Sequence, residues 1–180
     1  MQPLYDSVRE LREIIQGERK YGIVTLDLLP LTDPVSHLEA SNRIVHHVGF
    51  NPPNSWTNIP FLAAQRHLVR CLHRGLAYKT LCIEKERSEE LALKFFGMFS
   101  GDNQEYFTNT LPWKPSVYER DKESKKSGVV VVGENEVEDL GWGETKGTWA
   151  SSSLTSSTFD TGIVVVDSTK AGILWFQEED

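Results

Sequence analysis

Two cysteines in 180 residues, Cys71 and Cys82, are too few for a disulfide scaffold, and the reading is of reduced thiols in a cytoplasmic setting. Long apolar runs are missing too. Stretches such as Val129–Val132 and Ile163–Val166 are strand-sized, and no window approaches the roughly 18 apolar residues of a membrane-crossing helix. The opening MQPLYDSVRELREI carries Asp6, Glu10 and Glu13 where a signal peptide would need an uninterrupted apolar segment. There is no internal repeat and no heptad pattern. Basic charge is the last shortage: 19 Lys+Arg stand against 26 Asp+Glu, a net charge of −7 with a pI near 5.3. Such a surface repels polyanions, so direct nucleic-acid binding is not expected.

What is present is an ordinary globular composition. Hydrophobic residues make up 39% and charged residues 25%, which excludes collagen-like and disordered chains. The length fits one domain over 1–180, helix-rich over 1–101 and strand-rich over 102–180.

Periodicity places the elements. Leu4, Val8, Leu11 and Ile15 recur on one face of a first helix that Gly17 can end. Tyr21–Leu29 reads as a strand closed by Pro30. Asp33-Pro34 predicts the start of a second helix, with Val35, Leu38, Val45 and Val48 inward and Gly49 past its end. Asn51–Pro60, with three prolines and three asparagines, reads as a loop. Pro60 opens a third helix running to about Tyr78, with Phe61, Ala64, Leu68, Leu72 and Leu76 facing the core. Ser88 is the expected cap of a fourth helix, whose inward side is Leu91, Phe95, Met98 and Phe99. After about residue 105 the pattern becomes strand-like: Val129–Val132, Thr161–Asp167 and Gly172–Gln177, the last two joined by a hairpin turn through DSTKAG. Tyr118–Ser127 is a charged loop, and Gly133–Gly147 is acidic and glycine-rich. Helices first and strands afterwards predict an α+β fold, about four N-terminal helices on a mainly antiparallel sheet that the strand at 21–29 joins. Trp113, Trp142, Trp149 and Trp175 fall in the strand-rich half, as packing between sheet and helices would require.

Several motifs bear on chemistry. Phe159-Asp160-Thr161-Gly162 matches the active-site signature of aspartic proteases, in which two such Asp residues share a proton. No second Asp-Thr/Ser-Gly exists in the sequence, and a turn into the following valine strand is the expected role. Arg66, Arg70, His73 and Arg74 recur at i, i+4, i+7 and i+8, a basic helix face suited to an anion or an acidic partner. His67 and Cys71 share one side of the same helix, but a zinc centre needs four converging ligands and no metal is expected. Cys82, in the apolar string Leu81-Cys82-Ile83, is expected to be buried and inert. No Walker-type phosphate loop and no nucleophile elbow are present, and no cofactor is expected. Glu134, Glu136 and Glu138 alternate, so an extended strand would place them on one face. Together with Asp139, Trp142 and Glu144 they form the expected partner-binding loop.

These residues point first to an acidic protein-binding module whose partner is another, basic, protein. One concrete form is an immunity protein or antitoxin that blocks a toxin such as a nuclease by mimicking its polyanionic substrate. The alternative is a carboxylate- or metal-dependent hydrolase using Asp27, Asp160 and Asp167 at strand ends. A structural or virion component is a third option. No membrane association is expected.

Overall fold

The computed structural model describes residues 2–77, 79–110, 127–136 and 153–179. In chain order the elements are α1 (Gln2–Glu18), β1 (Ile23–Pro30), α2 (His37–His47), β2 (Trp56–Ile59), α3 (Phe61–His73) and α4 (Lys85–Phe96). There follow β3 (Glu105–Thr108), β4 (Val129–Val131), a 3₁₀ turn (Glu134–Glu136), β5 (Phe159–Val166) and β6 (Lys170–Glu178). The strands form one sheet in the order β1-β6-β5-β3-β2-β4. Every pairing is antiparallel except β2 with β4. The fold is α+β, with the helices in the N-terminal part and most of the sheet in the C-terminal half.

Side-chain alternation divides the core into two layers. Leu26, Ile163, Val165, Leu174 and Phe176 face α1, α3 and α4, where Ile15, Leu68, Leu72 and Phe95 are fully buried. Val164, Val166, Ile173 and Trp175 face the opposite way, onto Ala40, Ile44 and Val45 of α2. Because helices cover both faces, β5 and β6 are apolar continuously rather than alternately. At Gly162 in β5 an added Cβ would come within 2.1 Å of the Leu174 carbonyl oxygen and 2.8 Å of Trp175, so the two central strands could not pack this closely around a larger residue.

The structure moves several expected boundaries. α2 starts after Ser36, whose hydroxyl accepts from Glu39 N at 3.2 Å, so a Ser-x-x-Glu start replaces Asp33-Pro34. Asp33 instead accepts both contacts from Arg43 at 3.1 Å. The loop expected at 51–60 contains β2, because Thr57–Ile59 pair with β3 and bury Trp56 against Phe107 and Trp175. Cross-strand pairing outweighs the local turn composition. α3 stops at His73: Arg74 turns extended and bridges Leu81, with Gly75 N bonded to Thr80 O. Ser88 lies inside α4, its hydroxyl donating back to Glu84 O at 2.9 Å, and Glu84 is the residue at the N-terminal boundary. Cys82 is half-buried beside the exposed Leu81, so its apolar string is not a buried strand. Among the described residues no helix is long and apolar enough to cross a membrane.

Candidate functional site

The basic face read from the sequence is largely assembled. One helical turn separates Arg66 from Arg70, so both rise from the same side of α3 at about 5–6 Å spacing. With Val69 and His73 they line one wall of a concavity of about 500 Å³, and Lys85, Glu89 and Leu93 of α4 supply the other wall. Arg74 does not belong to this wall. The helix has ended before it, and its guanidinium donates to Lys79 O at 3.2 Å. Lys85 takes its place, a residue the periodicity of α3 could not have indicated because it enters from the next helix.

His73 Nδ1 lies 2.7 Å from Ile83 O, so that nitrogen carries a proton and donates, which leaves Nε2 as the ring atom a ligand can meet. Burial lowers the pKa of the Arg70 guanidinium, and the neighbouring charge of Arg74 adds to this. Lys85 and Glu89 form a loose ion pair at 3.8 Å. Leu93 keeps 53% of its surface exposed, an apolar residue beside the cations.

A second concavity, of about 480 Å³, opens where β6 ends, beside Tyr21, Ile23, Glu178 and Glu179. Its charges are committed to the fold. The buried Arg19 donates through Nη2 to Glu178 and through Nη1 to the Tyr21 carbonyl, while its Nε donates to Cys71 O at 3.1 Å. The other oxygen of Glu178 accepts from Leu76 N at 2.8 Å and Ala77 N at 3.0 Å. Gly22, at φ +74°, lets the chain turn over this ion pair.

The protease-like string is not a turn. Asp160 and Thr161 belong to β5 and are buried. Asp160 Oδ2 accepts from Ser153 Oγ, Leu154 N, Thr155 N and Thr155 Oγ1 at 2.7–3.0 Å, which ties residues 153–155 to the strand. Around it lies a buried polar chain that sequence reasoning missed. Asn109 Nδ2 donates to Asp160 Oδ1 at 3.1 Å, which orients the amide, and Asn109 Oδ1 accepts from Thr161 Oγ1 at 2.8 Å. With Thr161 spending its proton there, the His67 Nε2 at 3.0 Å from the same hydroxyl must be a donor. That is the reverse of a base activating a hydroxyl nucleophile. Burial drives the His67 pKa down to about 3, so the ring is neutral at ordinary pH.

The alternative hydrolase acids do not converge. Asp160 and Asp167 stand at opposite ends of β5, which at about 3.3 Å per residue puts them about 23 Å apart. Asp167 closes the β5–β6 hairpin through Thr169 N, Lys170 N and Gly101 N. Asp27 lies across the sheet on β1, 3.6 Å from His47 Nε2. Burial pushes the Cys71 thiol up to about 12, far from a thiolate at neutral pH.

Of the acidic loop, Glu138, Asp139, Trp142 and Glu144 lie outside the described residues, as do Trp113 and Trp149. Glu134 and Glu136 do not sit on an extended strand: they form a 3₁₀ turn, and Glu136 Oε2 accepts from Gly133 N at 3.0 Å. Among the described residues, no three His, Cys, Asp or Glu side chains gather as a metal site. No family model, curated protein or solved structure matches the chain.

Proposed function

We propose that the protein is a binding module that recognises another protein, and that the groove between α3 and α4 is its contact surface. The observation that carries this reading is the convergence of Arg66, Arg70, His73 and Lys85 beside the exposed Leu93 in a single concavity. Cations next to an uncovered leucine suit a short protein segment that offers acidic and apolar side chains together. The rest of the chemistry supports recognition over turnover. Asp160, Asp167 and Glu178 spend their carboxylates holding loops and chain ends, while His67 and Cys71 are kept in their neutral forms. A narrower form of the same proposal is an immunity protein or antitoxin whose acidic exterior covers a basic toxin. Its support is the net charge of −7, and the groove would then take an acidic stretch of that partner.

Site-specific photo-crosslinking in the native host tests the proposal. A crosslinking side chain at Leu93 is expected to trap one defined protein, and the same group at the exposed Arg12 on α1 is not. Equal or absent trapping from both positions would count against the groove.

A further inference from the structure

We propose that the α3/α4 groove contains an oxyanion subsite, built by Arg66, Arg70 and Lys85, that takes a phosphate group borne on a side chain of the protein partner. The inference rests on the binding-module reading and adds the chemistry of the ligand.

The composition of the wall is the reason. Arg66, Arg70 and Lys85 bring three permanent cations to one concavity, and among the described residues that line it Glu89 is the acid. The Lys85–Glu89 contact is long at 3.8 Å, so it holds the lysine loosely. Arg66 has no carboxylate partner among the described residues, whereas Arg9, Arg19, Arg43 and Arg87 each hold one. A single carboxylate carries one charge and fills one guanidinium fork. A phosphate monoester carries about −1.5 to −2 at neutral pH and offers three acceptor oxygens, enough for several converging donors at once. His73 lines the same wall, with its Nδ1 spent on Ile83 O. The N-terminus of the twelve-residue α4 lies at Lys85 and bears no side-chain cap, so the helix field there has the same sign. Val69 and Leu93 flank the cations, which is what favours a phosphorylated side chain within a peptide over a free phosphate compound.

The test is a heteronuclear NMR titration of the full chain. Sodium phosphate, compared with sodium chloride at equal ionic strength, is expected to give saturable shifts confined to residues 65–73 and 85–93. Arg66→Gln and Arg70→Gln are each expected to weaken phosphate binding at least tenfold. Arg66 is exposed on the helix surface, so its variant keeps the fold even if the Arg70 variant does not. Shifts that are absent, spread over the surface, or unchanged in Arg66→Gln would overturn the subsite. The second arm compares N-acetyl-phosphoserine amide with a leucine-flanked phosphoserine peptide. The peptide is expected to bind at least fivefold more tightly, and equal affinities would assign the subsite to a free phosphate compound and overturn the partner-borne source. Crosslinking from Leu93 with no phosphate response leaves the binding module standing and removes this inference. Phosphate binding with no crosslinked protein removes the module and the partner-borne phosphate together.

Discussion

Arg19 and Arg66 show two uses of the same side chain. Arg19 is wholly buried under the end of β6, where its guanidinium donates to Glu178, the Tyr21 carbonyl and the Cys71 carbonyl and lies over the Phe176 ring. Arg66 stands exposed on the wall of the α3/α4 groove beside Arg70 and Lys85. A buried charge is tolerable only when fully partnered, so the first arginine is spent on stability. A solvated cation stabilises the fold little and stays available to a ligand. The difference separates positions that should break the fold from positions that should break recognition.

The largest effect is expected at the clamp. Arg19→Leu leaves Glu178 buried without its counter-ion and should cost about 3–5 kcal/mol in urea unfolding. A loss below about 1 kcal/mol would mean that the two regions do not differ in this way. Asp160→Asn comes next, because the carboxylate oxygen that gathers four donors becomes half of an amide. The expected loss is about 1–3 kcal/mol, with faster amide exchange at Leu154 and Thr155 as the local sign.

These two positions also show what the sequence could and could not disclose. The stripe on α1 and the valine run of β5 are legible because a helix period and a doubly covered strand leave plain patterns. Asp160 reads as part of a turn, since Asp and Gly favour turns locally. The carboxylate instead serves residues 153–155, which become its neighbours only in the fold. β2 was hidden among prolines and asparagines for the same reason: its partner β3 lies about fifty residues further on. In the groove, Arg66, Arg70 and His73 were legible from helical spacing. Lys85 is not, because it belongs to another helix, and Arg74 reads as part of the same face because nothing local marks the helix end at His73.

Asp167 makes the stability of the β5–β6 hairpin depend on pH. Burial works against the Asp167 carboxylate, but hydrogen bonds from Thr169, Gly101 and Lys170 outweigh it, so its pKa is lowered in the folded state. The stabilisation is therefore complete above the unfolded value of about 3.9 and is lost as pH falls through the lower folded value. Thermal melts should show wild type losing stability in that acid range more steeply than Asp167→Asn. Parallel curves would remove Asp167 from the set of committed carboxylates.

The smallest effect on stability is expected in the groove. Arg66→Gln should shift unfolding by no more than about 0.5 kcal/mol, as surface substitutions commonly do. A loss comparable to that of Arg19→Leu would show that the groove arginine is structural after all.

On the proposed reading, the α3/α4 groove carries recognition. Its most direct test is the amount of the Leu93-crosslinked protein that co-purifies with two charge-matched variants, Arg66→Glu in the groove and Arg12→Glu on the exposed face of α1. Both change the net charge by the same amount, so a long-range field affects them alike. At least tenfold less partner is expected with Arg66→Glu and an unchanged amount with Arg12→Glu. Equal retention by the two variants, or equal loss, would contradict that reading.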